Sequence, residues 1–183
     1  MTRIFASLVL VSLSTFTYAD EPVAVRKVAI GEAAPAFTIK DASGTTINLE
    51  ELTAKGPVLV RLTCGCSGCD KELAYFQEIH EAYKGKGLIS LYVFKEPDAK
   101  IAKYATDKKL NMLYAVDTKG TSWDVFQTKT MPTNILIEKG GKISSIALGC
   151  DPSGLLANKV SGKAAKLLGA DVINVQDKAN DKK

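Results

Sequence analysis

Apolar residues in the central part of the chain occur both as short continuous runs and as a helical repeat. Residues 58–62 and 88–94 are nearly continuous apolar runs, which is typical of strands buried on both faces. Between these runs, apolar side chains recur every three to four residues up to Gly85 and Gly87, and this spacing predicts a helix that ends at the glycines. The apolar positions of this predicted helix are Leu73, Phe76, Ile79 and Tyr83.

Turn residues separate four further short segments into two predicted hairpins. Residues 37–40 and 46–49 flank Ala42-Ser43-Gly44, and residues 134–137 and 142–148 flank Gly140-Gly141. Residues 114–116 form another short apolar segment, so we expect one more strand there.

Two more helices are predicted from capping residues. Asp98 is suited to cap a helix that runs through Lys108, and Asp151 is suited to cap a later helix with Pro152 at its first position. The alternation of strands and helices predicts an α/β fold, in which helices cover both faces of a mixed central sheet and a hairpin precedes it.

The N-terminus combines the features of a secretory signal peptide. Arg3 supplies a positive charge, residues 4–13 are apolar, and residues 17–19 resemble a cleavage site. The apolar stretch is shorter than the ~20 residues that a membrane-spanning helix needs. We therefore expect a signal peptide at residues 1–19, one domain at residues 20–170 and a polar, disordered tail at residues 171–183. Export would place the protein in the periplasm or another extracytoplasmic compartment.

Composition and motifs exclude several classes of function. The net charge of +4 comes from 24 basic and 20 acidic residues that are interleaved along the chain, so nucleic-acid binding has little support. A phosphate-binding loop, a dinucleotide-binding glycine motif and a serine nucleophile elbow are all missing from the sequence. We expect no cofactor.

The segment Cys64-Gly65-Cys66-Ser67-Gly68-Cys69 carries the most informative chemistry. It follows the apolar run 58–62 and opens the predicted helix, so Cys66 and Cys69 form a Cys-x-x-Cys pair at a helix N-terminus. Unpaired amide groups of the first helical turn stabilise a thiolate, so we expect the pKa of Cys66 to be lowered. The motif therefore predicts a redox site with Cys66 as the nucleophile.

Five segments carry a family resemblance that covers nearly the whole chain after the signal peptide. They are residues 31–38, 41–44, 49–52, 116–120 and 131–137. In combination they resemble the extracytoplasmic thioredoxin-like reductases of the TlpA/ResA type, within the redoxin superfamily that also includes the peroxiredoxins. The resemblance implies a thioredoxin-like fold.

The same resemblance implies roles for particular residues. Met131-Pro132 corresponds to the family's cis-proline loop, which faces the cysteine pair and binds substrate. Cys66 would attack a substrate disulfide and Cys69 would resolve the mixed disulfide. Glu72 matches a glutamate that tunes the cysteines and assists proton transfer. Its negative charge opposes thiolate formation, which favours a reductant.

The sequence also departs from the family pattern. Gly65 replaces the tryptophan that usually precedes the first active-site cysteine, and Ser67-Gly68 replaces a pair that contains proline. The substrate contacts that this tryptophan usually makes in the family are therefore missing.

Cys64 and Cys150 lie outside the expected pair. Cys150 follows Gly149 after the last predicted strand, where the resemblance implies a loop next to the active site. Three interpretations remain open, in this order: a structural Cys64–Cys150 disulfide, a relay that passes a disulfide outward, or a soft-metal site.

Two alternative functions compete with the reductase. A peroxidase is favoured by Thr63 and Cys66, which match half of the peroxiredoxin pattern, but Leu59 occupies the position of its proline and no arginine follows Arg61. A Cu(I)-binding protein is favoured by the four cysteines with Met131. The single histidine, His80, lies eleven residues beyond Cys69, ~16 Å along the helix, and is interpreted as an ordinary histidine.

The sequence thus predicts an exported thiol:disulfide oxidoreductase that reduces protein disulfides. We expect catalysis by Cys66, Cys69 and Glu72, substrate binding by Met131 and Pro132, auxiliary roles for Cys64 and Cys150, and no resident metal. Turnover needs an external electron donor, for which a membrane-anchored reductase is the expected partner. The oligomeric state is left open.

Overall fold

The computed structural model describes residues 27–180. The predicted signal peptide at residues 1–19 lies outside the described residues. The first strands of the described residues, β1 (Thr38–Lys40) and β2 (Thr46–Asn48), form a two-stranded antiparallel hairpin, which confirms the predicted N-terminal hairpin.

A five-stranded mixed sheet forms the centre of the fold. Its strands are β3 (Val58–Thr63), β4 (Ile89–Phe94), β5 (Leu113–Val116), β6 (Thr133–Ile137) and β7 (Ile143–Leu148). Their spatial order is β5-β4-β3-β6-β7, with β3, β4 and β5 parallel and with β6 antiparallel to both of its neighbours. Strand β3 is therefore central, and the chain leaves its carboxyl end directly into the cysteine motif.

Six α-helices are present among residues 27–180. They are α1 (Leu49–Lys55), α2 (Ser67–Tyr83), α3 (Asp98–Asp107), α4 (Thr121–Val125), α5 (Leu155–Leu168) and α6 (Val175–Asn180). Within this part of the chain, no helix is both long enough and apolar enough to cross a membrane.

Side chains of the central strand alternate between two hydrophobic cores. Leu59 packs on one face with Phe76 of α2 and Val160 of α5, whereas Val60 and Leu62 pack on the other face. The second core also contains Trp123 of α4 and Leu49 of α1. Because both faces are covered, β3 is buried throughout, which explains its nearly continuous apolar pattern.

The structure corrects the expectation of a disordered tail at residues 171–183 over the part that it describes. Helix α6 packs against α2 and α5, and the side chains of Val175 and Ala179 are buried. The Val175 amide donates a hydrogen bond to Oδ1 of Asn158 at 2.8 Å, which fixes the start of the helix. Within α6 the buried apolar side chains are Val175 and Ala179, one helical turn apart. So short an apolar pattern is hidden by the polar composition of the segment.

Two helix starts also differ from the predictions. Helix α3 is capped by Pro97 rather than Asp98, and α5 begins at Leu155 after an N-cap at Gly154. Asp151 still acts at this helix end, because its Oδ2 accepts a hydrogen bond from the Leu156 amide at 2.7 Å.

Candidate active site

Three cysteine side chains converge where β3 ends and α2 begins. Cys64 follows the last residue of β3, Cys66 is the N-cap of α2, and Cys69 lies in the first turn of that helix. The three sulfur atoms all lie within 4.8 Å of one another, and Sγ of Cys64 is 3.2 Å from Sγ of Cys69. Cys66 is exposed, whereas Cys69 is buried. The site thus offers one accessible sulfur backed by two less accessible ones.

The disulfide in this site differs from the expected one. The sulfur atoms of Cys64 and Cys66 are bonded to each other, with Cα atoms 5.3 Å apart, and Cys69 is a free thiol. The expected Cys66–Cys69 bridge is therefore not the one present. The reason is local: the chain turns at Gly65, and this turn brings the sulfurs on either side of the glycine together.

Helix α3 lies directly beside Gly65. A Cβ atom at this position would be in ordinary van der Waals contact with α3, 3.4 Å from Cδ1 of Ile101 and 3.6 Å from Cδ2 of Tyr104. Tyr104 also donates a hydrogen bond to Oδ1 of Asp70 at 3.0 Å. Burial, together with this hydrogen bond to a carboxylate, raises the pKa of Tyr104, so its hydroxyl stays protonated and donates.

Glu72 is completely buried on α2, one turn below the cysteines. Its Oε2 lies 2.9 Å from Nη2 of Arg61, and its Oε1 accepts a hydrogen bond from the Asp151 amide at 2.8 Å. The glutamate predicted to act in catalysis is thus part of a buried ion pair. Both of its oxygens have partners, and it connects the central strand to the loop after β7.

Arg61 is the residue whose importance the sequence analysis missed. It is 1% exposed, its Nη1 donates to Oδ1 of Asn134 at 2.6 Å, and its guanidinium lies 4.2 Å from the ring centre of Phe76. A signal was available, because an arginine interrupts an otherwise apolar buried strand, and such a charge needs a buried partner. The guanidinium of Arg61 is thus engaged by Glu72, Asn134 and the Phe76 ring.

Cys150 lies beside the cysteine motif but is not bonded to it. Its thiol donates a hydrogen bond to the Gly68 carbonyl at 2.9 Å, and Cys150 is free and exposed. A structural Cys64–Cys150 disulfide, the first of the three interpretations left open by the sequence, is therefore absent, because Cys64 is bonded to Cys66. Two effects raise the pKa of Cys150. The larger is partial burial of the sulfur, and the second is the negative charge of Glu72.

The proline loop has the geometry that the resemblance implied. The peptide bond between Met131 and Pro132 is cis. The pairing of Leu62 with Thr133 places this loop beside the end of β3, and the Pro132 carbonyl accepts a hydrogen bond from the Gly149 amide at 2.9 Å. The proline loop, the Cys150 loop and the cysteine motif therefore lie at the same edge of the sheet.

His80 takes no part in this site. It is buried on α2, with Nδ1 3.2 Å from Oγ of Ser90, and burial lowers its pKa. Among residues 27–180, the only group of three or more potential metal ligands that converges is Cys64, Cys66 and Cys69. Three thiolates form a set of donors suited to a soft ion such as Cu(I).

The sequence is similar to those of known redox proteins. Residues 30–146 match the model of the AhpC/TSA family. The thiol-disulfide oxidoreductase ResA of Geobacillus thermodenitrificans is 28% identical over 150 residues, which cover 81% of this chain and 86% of that protein. The ResA of Bacillus cereus is 32% identical over 125 residues, covering 67% and 72% of the two chains.

A solved structure of a thiol-disulfide oxidoreductase has a similar fold. The thioredoxin domain of a thiol-disulfide oxidoreductase from Bacteroides vulgatus superposes with a TM-score of 0.63 at 26% identity. The superposition covers 74% of this chain and 98% of that domain.

Proposed function

The chain belongs to the AhpC/TSA family, and we propose that it is an exported reductant of protein disulfides. Its relatives are thiol-disulfide oxidoreductases, and the chain is an enzyme of the same class. The observation that carries the proposal is the exposed Cys66 at the N-cap of α2, with further cysteine sulfurs within 4.8 Å behind it.

The proposed reaction is thiol-disulfide exchange. In the reduced enzyme, the Cys66 thiolate attacks one sulfur of a substrate disulfide, and the other substrate sulfur leaves as a thiolate that takes up a proton. A second cysteine thiolate of the site then attacks Sγ of Cys66. It releases the remaining substrate thiol and leaves an enzyme disulfide. Cys69 is the proposed resolving residue, since it lies one helical turn behind Cys66 and is buried from competing substrates.

Helix α2 favours the attacking thiolate, because the unpaired amides at its N-terminus point toward the N-cap residue. Glu72 is proposed to oppose this effect, since its carboxylate introduces negative charge beneath the same sulfurs. Burial first, and then the negative charge of Glu72, also raise the pKa of the neighbouring Cys150 thiol. A dithiol that is less stabilised as a thiolate is a better reductant, which supports the reducing direction.

Met131 and Pro132 are proposed to bind the substrate backbone. Their cis peptide bond lies at the same sheet edge as the cysteines, next to the end of β3. A substrate strand at this edge would present its disulfide to Cys66.

Export is proposed from the signal-like pattern of residues 1–19, and a membrane-anchored reductase is the proposed electron donor. Each turnover leaves the enzyme with one disulfide, so it needs two electrons from outside. The export part is tested by the mass of the protein isolated from the cell envelope. A chain starting at Asp20 supports export, and an intact N-terminus in the cytosol contradicts it.

The experiment that tests the activity is the reduction of insulin disulfides by the protein lacking residues 1–19, with dithiothreitol as the electron donor. The rate enhancement over the reaction with dithiothreitol alone should be at least 100-fold smaller for the Cys66→Ser variant than for the wild type. Cys150→Ser is the matched control, because it replaces a neighbouring cysteine that is not the proposed nucleophile. It should keep its activity if the loss in Cys66→Ser comes from the nucleophile and not from the loss of any thiol. Full activity in Cys66→Ser would contradict the assignment.

A second candidate function, Cu(I) binding, is favoured by the convergence of the three sulfurs. In the fully reduced protein, Cys64, Cys66 and Cys69 can supply three soft thiolate ligands to one ion. The exposure of Cys66 would leave such an ion open to transfer.

A further inference from the structure

A single disulfide among three converging cysteines leaves one sulfur free. In this structure Cys64 is bonded to Cys66, and the free sulfur belongs to Cys69. The Sγ atom of Cys69 lies 3.2 Å from that of Cys64. Disulfide exchange requires a thiolate sulfur next to one of the two bonded sulfurs, and Cys69 meets this requirement at Cys64.

We propose that Cys64 is a third redox-active cysteine, and that the enzyme disulfide migrates to Cys64–Cys69 both from the Cys66–Cys69 bridge left by turnover and from the Cys64–Cys66 bridge of this structure. From Cys66–Cys69, the deprotonated Cys64 sulfur attacks Sγ of Cys69, 3.2 Å away, and Sγ of Cys66 leaves as a thiolate. From Cys64–Cys66, Cys69 is the attacking residue. The Cys69 thiol first loses its proton to solvent. Its thiolate then attacks Sγ of Cys64, a Cys64–Cys69 bond forms, and the Cys64–Cys66 bond breaks. The electron pair of the broken bond leaves with Sγ of Cys66, which becomes a thiolate. The step neither oxidises nor reduces the protein as a whole.

Migration changes which cysteine is free. With the Cys64–Cys66 bridge, the free thiol is Cys69, which is 5% exposed; after the step, the free thiol is Cys66, which is exposed at the start of α2. The oxidised enzyme therefore regains an accessible nucleophile while its disulfide is held by the two cysteines behind it. A site with only a Cys-x-x-Cys pair has no such form, because its single disulfide consumes both cysteines.

This form supports a further activity, the rearrangement of disulfides in a protein substrate. Cys66 attacks a substrate disulfide and releases one substrate thiolate, which then attacks another disulfide of the same substrate. A substrate thiolate finally displaces Cys66, so the number of disulfides is unchanged. The inference rests on the proposed function, since it uses the same nucleophile and the same class of substrate.

Cys150 is the natural competitor for the role of third cysteine, and its surroundings argue against it. Its thiol is directed to the Gly68 carbonyl, and its raised pKa reduces the thiolate available for attack. It is also absent from the group of sulfurs that converge within 4.8 Å. The migration is therefore confined to the three cysteines of the motif.

The migration is tested by labelling the oxidised wild-type protein with N-ethylmaleimide under native conditions. Trypsin cleavage after Arg61 and Lys71 releases all three cysteines in the peptide 62–71, and fragmentation of that peptide locates the label. The proposal predicts native label on Cys66, with Cys64 and Cys69 revealed only after reduction. Label on Cys64 would show a Cys66–Cys69 disulfide, and no native label would show a disulfide that stays at Cys64–Cys66; either result overturns the proposal.

Three variants sharpen the test. Cys69→Ser removes the attacking sulfur, so its oxidised form should show no native label on Cys66. Cys66→Ser should form a Cys64–Cys69 disulfide with the oxidant that forms the wild-type disulfide, and two persistent free thiols would overturn the proposal. Cys150→Ser is the matched control, since loss of a thiol outside the group should leave the labelling of peptide 62–71 unchanged.

The further activity is measured by reactivation of scrambled ribonuclease with the oxidised enzyme in the absence of a reductant. The wild-type protein should reactivate it at least tenfold faster than Cys69→Ser. Equal reactivation rates for the wild type and Cys69→Ser would overturn the migration. That result does not require any loss of insulin reduction by the reduced enzyme. Loss of insulin reduction in the wild-type protein would instead overturn the proposed function, so the two failures are distinguishable.

Discussion

Arg61 and Glu72 form an ion pair that is almost completely shielded from solvent. Nη2 of Arg61 lies 2.9 Å from Oε2 of Glu72, and the two side chains are 1% and 0% exposed. The other oxygen of Glu72 accepts a hydrogen bond from the Asp151 amide, and Arg61 donates a hydrogen bond to Oδ1 of Asn134 on β6. The pair therefore joins the central strand, the helix that carries the cysteines and the loop that carries Cys150.

The first prediction concerns the loss of one member of this pair. Arg61→Met leaves the Glu72 carboxylate buried without a counter-charge, and we expect the free energy of unfolding to fall by roughly 3–5 kcal/mol. Urea unfolding followed by circular dichroism measures this change. The double variant Arg61→Met with Glu72→Gln keeps an acceptor for the Asp151 amide and removes the charge, so it should recover most of the loss. A double variant no more stable than Arg61→Met would contradict the explanation.

The second prediction concerns the pH dependence of Cys150. Only the thiolate reacts with iodoacetamide, and partial burial and the charge of Glu72 raise the pKa of Cys150 above its usual value near 9.0. The labelling rate should therefore be low at neutral pH and reach its midpoint at a more alkaline pH than that of an unperturbed thiol. Mass spectrometry of the tryptic peptide 143–159 follows the reaction.

Glu72→Gln provides the matched test of the cause. It removes the negative charge, so the midpoint of Cys150 labelling should move to lower pH. An unchanged midpoint in this variant would show that the charge of Glu72 does not act on Cys150.

The third prediction concerns the C-terminal helix. Val175 is fully buried, and Val175→Ala should reduce the free energy of unfolding by about 1–3 kcal/mol, because a cavity forms between α6 and its neighbours. Val172→Ala is the matched control, since Val172 is 66% exposed and its truncation should have little effect. Equal effects of the two substitutions would indicate that α6 is not packed as described.

The fourth prediction concerns copper. The reduced protein should bind one Cu(I) ion, and each of the substitutions Cys64→Ser, Cys66→Ser and Cys69→Ser should weaken binding at least tenfold, since each removes one soft ligand. Competition with a colorimetric Cu(I) chelator measures the affinity. Cys150→Ser should bind like the wild type. Cu(I) affinity that is unaffected by the loss of Cys64 would rule out a three-thiolate site.

Much of the fold could be predicted because local patterns and tertiary packing agree. The apolar run at β3 and the helical repeat of α2 come from residues buried on one or both sides of the central sheet, and their periodicity follows directly from that burial. The short helices α1, α4 and α6 lack such repeats. They are held by a few buried side chains, such as Val175, whose partners lie far away in sequence.

The site was predictable in its location but not in its connections. The cysteine motif at a strand-to-helix junction predicts Cys66 and Cys69 as site residues, and the resemblance predicts the Met131-Pro132 loop beside them. The bond between Cys64 and Cys66 depends on the turn at Gly65, and the Arg61–Glu72 pair joins residues from separate elements. Such contacts depend on three-dimensional distances that spacing along the chain does not contain.

The most direct test of the central claim is the capture of a mixed disulfide at Cys66. The double variant Cys64→Ser with Cys69→Ser lacks both sulfurs that can resolve the intermediate, so it should form a stable covalent complex with a disulfide-containing protein substrate. Intact mass and fragmentation should locate the bond at Cys66, and addition of Cys66→Ser to this variant should abolish the complex. Absence of a complex in the double variant, or a bond at Cys150 in its place, would contradict the claim that Cys66 is the attacking residue.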